Sequence, residues 1–175
     1  MTRLPLSLSL AALLLASTAL PAQSADPALA WASIKELQQR MDAGQLRSEA
    51  LARLFLERIQ RIDRDGPALR AVLETNPDAL KLAAQIDQQK PKGALRGIPV
   101  LLKDNIDTGD RMLTTAGSLA LADAPPAPRD AGLVARLRKS GALILGKTNL
   151  SEWANMRSSH ASSGWSARGG QTRNP

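Results

Sequence analysis

The chain has 175 residues, of which 43% are hydrophobic, and its formal net charge is +7 at pH 7. The lack of cysteine excludes disulfides, a thiolate nucleophile and cysteine-type zinc sites, and the single histidine, His160, argues against a histidine-rich metal centre. Nucleic-acid binding is not indicated. Residues 25–128 hold 14 basic and 14 acidic side chains, so the excess of basic residues lies in 129–175. That segment contains neither a run of basic residues nor a series of aromatic residues on which bases could stack.

The first 24 residues are typical of a secretory signal peptide. Arg3 supplies the positive start, residues 4–20 form a mostly apolar stretch, and Ala22-Gln23-Ser24 is a small-residue cleavage site. Five residues interrupt the apolar stretch: Ser7, Ser9, Ser17, Thr18 and Pro21. They disfavour a membrane anchor, which is the alternative. We expect a periplasmic or secreted protein whose mature chain begins near Ala25 and keeps no stable membrane anchor.

Two amphipathic helices are predicted next. Ser33-Ile34-Lys35-Glu36 is a capping box that opens a short helix, which ends before Gly44. Ser48 is the predicted N-cap of the second helix, whose apolar residues recur at spacings of three and four until Gly66. We expect this helical hairpin to pack on the main body of the protein. The alternative is an interaction surface for a partner or a membrane.

Strands and helices alternate along the rest of the chain. The predicted elements are a strand over 69–74, a helix over 77–89, a strand over 97–102, a helix over 131–139 and a strand over 142–145. Asn76 and Asp130 are the expected helix starts, and residues 107–128 form a loop rich in Gly, Ala, Asp and Pro. This rhythm predicts an α/β fold whose sheet is covered by helices on both faces.

Lys103 is the strongest candidate for chemistry. It follows the apolar run Ile98-Pro99-Val100-Leu101-Leu102, and Asp104 and Asn105 come directly after it. We expect a lysine in this place to be buried. Burial disfavours the ammonium form and lowers the lysine pKa, which makes the amine a usable general base. The alternative is a lysine that marks the return of the strand to solvent.

The segment from Gly97 to Thr108, GIPVLLKDNIDT, resembles the one that carries the catalytic lysine in the amidase signature family. Three later segments, 113–118, 146–153 and 170–175, resemble the next landmarks of that family in the same order. Residues 163–169 and the secreted start are most similar to its peptide amidase branch. The resemblance covers residues 32–175.

The resemblance implies the N-terminal part of an amidase-signature fold, with a mixed sheet covered by helices, in a single domain over residues 25–175. It also implies hydrolysis of a carboxamide without a metal or organic cofactor. A serine nucleophile would pass its proton through a bridging serine to an uncharged Lys103. The Gly/Ser-rich segment that holds both serines in the family is expected beyond Pro175, so these 175 residues are expected to be inactive alone.

The same resemblance extends to support and substrate contacts. Asp104 and Asn105 are expected to hold backbone or loop groups, and the substrate is expected to be a small-molecule or peptide amide, with a peptide C-terminal amide preferred. Ala154, Asn155 and Ser158 are the candidate substrate contacts. They lie in residues 151–175, which are dense in Ser, Gly and Arg and which form either a flexible end or the lining of a site.

Two other classes of function stay open. Residues 141–148, GALILGKT, match the phosphate-binding pattern G-x-x-x-x-G-K-[ST], which would make the protein a nucleotide binder. The four residues between the glycines are apolar and themselves predict a strand, so the nucleotide site is disfavoured and Lys147 has no special role. The other class is a non-catalytic secreted binding protein that uses the two N-terminal helices.

Overall fold

The computed structural model describes residues 26–156 and 158–175, so the predicted signal peptide lies outside the described residues. The α-helices are α1 (Ile34–Asp42), α2 (Ser48–Arg58), α3 (Ala79–Gln89) and α4 (Gly132–Lys139). The strands are β1 (Val72–Thr75), β2 (Pro99–Lys103), β3 (Leu143–Thr148), β4 (Trp165–Ser166) and β5 (Gly170–Gln171). Short 3-10 segments span Pro27–Trp31, Leu119–Leu121 and Glu152–Asn155, and a π-helical turn, Ile59–Asp65, continues α2. None of the helices described is long and apolar enough to cross a membrane.

Three strands form a mixed sheet in the order β1-β3-β2. β2 and β3 are parallel, with Pro99 opposite Leu143 and Lys103 opposite Thr148, whereas β1 runs antiparallel to β3. α4 lies on the connection between the two parallel strands, as a parallel pair requires a crossover. The carboxyl ends of β2 and β3 therefore meet at one edge of the sheet, and Lys103 lies there.

The central strand β3 is buried on both faces. Leu143 and Leu145 pack in a cluster with residues of α2 and α3, whereas Ile144 packs on the opposite side with Leu102 and with Val134 of α4. Successive side chains of a strand point to opposite faces, so the apolar run of β3 supplies two clusters at once. The prediction of an α/β fold with helices on both faces of a mixed sheet is confirmed.

The helical hairpin α1–α2 packs on this sheet layer, as expected. Leu51 of α2 is fully buried in a cluster that also contains Leu37 of α1 and Ile98. Ser33 caps α1 by accepting a hydrogen bond from the Glu36 N–H at 3.2 Å, which is one half of the predicted capping box, whereas the Glu36 carboxylate accepts from Arg40 at 2.8 Å. The hairpin is thus part of the hydrophobic core.

The predicted cap of α2 is wrong. Ser48 is the first residue of the helix rather than its N-cap, which is Arg47, and the Ser48 hydroxyl donates to the Gly97 carbonyl at 3.1 Å. The carboxylate of Asp87 in α3 instead accepts from the N–H groups of Ser48 at 2.7 Å and Glu49 at 3.1 Å. A side chain from another helix therefore satisfies the free N–H groups of this helix start.

The core is aliphatic. Trp31 is 83% exposed and Trp165 is 45% exposed, while Phe55 and Trp153 are half-buried. Leucine, isoleucine, valine, alanine and methionine make up the buried hydrophobic residues among those described. With few large rings to bury, the fold depends on close approach of its backbone segments.

Gly146 is one such point of approach. A Cβ at this position would overlap the Glu74 carbonyl oxygen of β1 and would lie 3.2 Å from the Thr75 Cα. We expect Gly146→Ala to lower the free energy of unfolding by about 1–3 kcal/mol, because the obstructing atoms are sheet backbone. Gly132→Ala is the matched control, since its Cβ would meet only a side-chain nitrogen of Arg136 at 3.6 Å. At this helical site alanine is expected to stabilise by about 0.5–1 kcal/mol.

Thermal unfolding of the protein expressed from the complete gene measures both glycine variants. The expected result is a lower unfolding midpoint for Gly146→Ala and an unchanged or higher one for Gly132→Ala. Equal midpoints would show that β1 and β3 separate readily and that the close approach is not needed.

Candidate functional site

Lys103 lies at the carboxyl end of β2, and its side chain is exposed. The burial expected from the apolar run is therefore not found in the described residues. The reason is strand alternation: Leu102 faces the core and is 5% exposed, so Leu101 and Lys103 point the other way, where Leu101 is itself 36% exposed. The backbone at Lys103 is held, because its carbonyl accepts from the Ile106 N–H at 3.0 Å.

Asp104 is fully buried and fastens the following loop to the end of β2. Its carboxylate accepts from the N–H groups of Gly117 at 3.1 Å and Thr115 at 3.3 Å, and also from the Thr115 hydroxyl. Its backbone carbonyl accepts from the N–H of Ala116 at 2.9 Å. Asn105, the second expected support residue, is exposed. These contacts hold residues 115–117 beside Lys103; a part for either residue in catalysis stays a prediction.

Arg168 lies next to Asp104 and was not among the residues predicted for the site. Its guanidinium lies 2.7 Å from a Glu74 carboxylate oxygen and 3.6 Å from the Asp104 Oδ1 atom, and its backbone N–H donates to the Gly117 carbonyl at 2.9 Å. Asp104 Oδ1 is buried without a hydrogen bond in the described structure, so this cation is its compensating charge. The sequence feature that could have indicated Arg168 is its position within residues 163–169, the segment that resembles the peptide amidase branch.

Lys147 is the buried lysine at this edge of the sheet. It lies opposite Leu102 on the central strand, is fully buried, and donates to the Ile106 carbonyl at 2.8 Å and the Thr114 hydroxyl at 2.9 Å. Burial lowers the pKa of Lys147, and the neighbouring carboxylate of Asp104 opposes that effect. The interpretation that Lys147 has no special role is therefore wrong in structural terms.

The nucleotide-binding alternative fails on the same residues. Most of the segment 141–148 is strand β3, with Gly146 and Lys147 inside it rather than in a loop. A phosphate-binding loop needs free N–H groups turned toward the ligand, whereas the N–H and carbonyl groups of β3 face β1 and β2. The match to the phosphate-binding pattern is therefore accidental.

A pocket of about 400 Å³ lies next to the loop that Asp104 holds. It is lined by residues of the C-terminal segment together with Ser118: Glu152, Trp153, Asn155, Ser158, His160, Ala161, Ser162 and Trp165. The Trp153 N–H donates to the Ala116 carbonyl at 3.1 Å, which joins the pocket wall to the loop. Two of the three candidate substrate contacts, Asn155 and Ser158, lie in this wall.

The wall contains an uncommon stretch of backbone. Trp153, Ala154 and Asn155 have φ angles of 49°, 53° and 62°, in the left-handed region that residues with a Cβ rarely adopt. Each such residue costs on the order of 1 kcal/mol or more, and such strain is concentrated at binding and catalytic sites. Ala154, the third candidate contact, lies between two residues of the pocket wall.

The C-terminal segment that forms this wall is ordered by polar contacts. The Ser166 hydroxyl is buried, donates to the Asn149 side chain at 2.6 Å and accepts from the Gly169 N–H at 2.9 Å. β4 and β5 pair antiparallel around it. The described residues of this segment therefore line a pocket, and their part in a substrate site stays a prediction. The described part of the chain contains no group of three or more His, Asp or Glu side chains arranged to hold a metal ion.

Comparison with known proteins identifies relatives along most of the chain. The sequence profile of the amidase family matches residues 50–175. A probable amidase of Arabidopsis thaliana is 48% identical over 150 residues, which cover 82% of this chain and 28% of that protein. A putative amidase of Arthroderma benhamiae is 44% identical over 117 residues, which cover 65% of this chain and 20% of that protein.

Solved structures agree with the sequence relatives. The native peptide amidase of Stenotrophomonas maltophilia matches 86% of this chain and 31% of its own, with 55% sequence identity and a TM-score of 0.81. An amidase family protein of Bacillus anthracis matches 82% of this chain and 29% of its own, with 44% identity and a TM-score of 0.79. The chain thus spans less than one third of the length of these relatives. With a family match over residues 50–175 and these identities, the chain belongs to the amidase family.

Proposed function

We propose that the protein expressed from the complete gene hydrolyses linear carboxamides, with peptides that end in a C-terminal amide as its substrates. The observation that carries this proposal is the similarity to the peptide amidase of Stenotrophomonas maltophilia, at 55% identity and a TM-score of 0.81. The binding-protein alternative has no comparable support, because the helices it would use, α1 and α2, bury Leu37, Leu51 and Leu54 in the core.

Lys103 is the proposed general base. In the proposed reaction a serine oxygen bonds to the amide carbon while its proton passes through a bridging serine to the Lys103 amine. The C–N bond then breaks, the leaving ammonia takes the proton back, and water releases the carboxylic acid by the same route in reverse. Both serines are expected beyond Pro175. The reaction as proposed requires no metal ion or organic cofactor.

The base must be uncharged when it accepts the proton. An ammonium has no lone pair, and lowering a lysine pKa from about 10.4 to about 7 corresponds to roughly 4–5 kcal/mol of differential stabilisation of the amine. Lys103 is exposed among the described residues, so this stabilisation requires cover by the segment that bears the serines. For that reason we propose that the 175 residues are inactive alone.

The pocket beside residues 115–117 is the proposed site for the peptide part of the substrate. Its wall joins the loop that Asp104 fastens to the end of β2, so one framework supports both the pocket and Lys103. Asn155 and Ser158 offer polar groups there, and the exposed faces of Trp165 and Trp153 offer apolar area. Ala154 is proposed to contribute through its backbone.

The substrate assay compares one peptide in two forms. Ammonia release is measured from a dipeptide amide and from the same dipeptide as a free acid, with the protein from the complete gene and with residues 25–175 alone. We expect ammonia from the amide with the longer protein only. Failure to release ammonia from any peptide amide or simple carboxamide would contradict the proposal, and a thermal shift with Mg-ATP would favour a nucleotide binder.

Secretion is the other part of this proposal. Residues 1–24 carry the features of a cleaved signal peptide, so the mature protein is proposed to be periplasmic or secreted. N-terminal sequencing of the protein from its native host is expected to begin at or near Ala25. A start at Met1 would contradict cleavage.

A further inference from the structure

Lys147 contacts both ends of the loop that follows β2. Its Nζ atom lies 2.8 Å from the carbonyl oxygen of Ile106, three residues after Lys103, and 2.9 Å from the Thr114 hydroxyl, next to Thr115. The Thr114 hydroxyl in turn donates to the same Ile106 carbonyl at 3.4 Å. One buried amine therefore closes the loop between these two residues.

Two hydrogen bonds connect Lys147 to the backbone of Lys103. The Lys147 amine donates to the Ile106 carbonyl, and the Ile106 N–H donates to the Lys103 carbonyl at 3.0 Å. At the other end of the loop, Asp104 holds Thr115 and Gly117. The turn that leads away from Lys103 is thus fixed from the central strand as well as from the end of β2.

Lys147 cannot act on a substrate directly, because its side chain is fully buried. A lysine in this place is costly, since burial disfavours the ammonium and lowers its pKa. A methionine of similar length would fill the same volume without that cost, but the Thr114 hydroxyl would lose its donor and the Ile106 carbonyl would keep only the 3.4 Å contact from Thr114. The two loop contacts are therefore what a lysine provides here.

We propose that Lys147 is a positioning residue for Lys103, holding the loop over 104–117 so that the Lys103 amine lies where the proton must be accepted. This inference rests on the proposed amide hydrolysis. A displacement of about 1 Å in a reacting group lowers a rate by about 10²-fold, so the loss of a loop contact has a measurable effect on kcat.

The test uses Lys147→Met in the protein expressed from the complete gene. We expect kcat for the peptide amide to fall by about 10- to 100-fold with little change in KM. Lys139→Met is the matched control: this exposed lysine ends α4, and its replacement is expected to change neither quantity.

A second pair of variants keeps the test informative if Lys147→Met does not fold. Thr114→Val removes the hydroxyl that the amine contacts, whereas Thr114→Ser keeps it. We expect Thr114→Val to lower kcat with little change in KM, and Thr114→Ser to restore kcat. Folded Lys147→Met or Thr114→Val protein with unchanged kcat would overturn the inference.

Hydrogen exchange separates this inference from the proposed function. If the unsubstituted protein releases no ammonia, or if Lys103→Ala retains full activity, the proposed function fails. In that case faster exchange at the N–H groups of Ile106, Thr115 and Gly117 in Lys147→Met would still support the positioning of the loop. Unchanged exchange at these groups would overturn it.

Discussion

Lys103→Ala is expected to lower kcat for amide hydrolysis by about 10²- to 10⁴-fold, the range of a general base. The variant removes the amine that would accept the serine proton. The fold is expected to stay intact, because the Lys103 side chain belongs to none of the core clusters of the described residues. Ammonia release and the unfolding midpoint are the two measurements.

Two further variants distinguish the base from a simple positive charge. Lys103→Arg keeps a cation, but a guanidinium does not deprotonate in proteins, so this variant is expected to be as inactive as Lys103→Ala. Lys92→Ala removes an exposed lysine before β2 and is expected to retain activity. If Lys103→Arg were active at more than about a tenth of the normal rate, the lysine would be acting as a charge and not as a base.

Local patterns in the sequence were sufficient for the elements that local contacts stabilise. The Ser33 cap begins α1, and the apolar runs of β2 and β3 appear as strands, of which β3 is buried, because these features involve neighbouring residues. The cap of α2 was mistaken because its acceptor, Asp87, lies 39 residues away from Ser48. A contact between distant residues leaves no periodic signal in the sequence.

Lys147 shows the same limit of local sequence patterns. The predicted strand ended at Leu145, since glycine and lysine are poor strand residues, but pairing with β1 and β2 on either side extends β3 to Thr148. Lys147 consequently lies inside the sheet, where Ile106 and Thr114 accept its hydrogen bonds. Its burial depends on a loop more than 30 residues earlier in the chain, which no pattern around Lys147 indicates.

The sequence predicts that the C-terminal pocket wall is polar, but it does not predict that the wall has a defined structure. Residues 151–175 contain few aliphatic side chains, so they show no hydrophobic periodicity from which helices or strands could be predicted. Their order comes from buried polar contacts, such as Ser166 with Asn149 and Arg168 with Glu74. The resemblance of residues 146–153, 163–169 and 170–175 to a known family was the only sequence signal for a site in this segment, and a role in substrate binding stays a prediction.

Asp104→Ala is expected to cause the largest loss of stability, about 3–5 kcal/mol in the free energy of unfolding. The substitution leaves the Thr115 hydroxyl and the Gly117 N–H without their carboxylate acceptor, while the Thr115 N–H keeps only the Asp104 backbone carbonyl at 3.1 Å. It also removes the carboxylate that faces Arg168 at 3.6 Å. Denaturant unfolding of the protein from the complete gene measures the loss, and Asp123→Ala, at an exposed loop aspartate, is the control with no expected change.

Asp104→Asn separates the hydrogen bonds of this carboxylate from its charge. All three donors contact Oδ2, whereas Oδ1 has no hydrogen bond and faces Arg168. An asparagine with its oxygen in the place of Oδ2 keeps the three hydrogen bonds but turns an NH2 group toward the guanidinium. If the loop contacts dominate, Asp104→Asn should lose about 1–2 kcal/mol, well below the loss for Asp104→Ala. Equal losses for the two variants would mean that charge compensation of Arg168, and not the fastening of residues 115–117, is what Asp104 contributes.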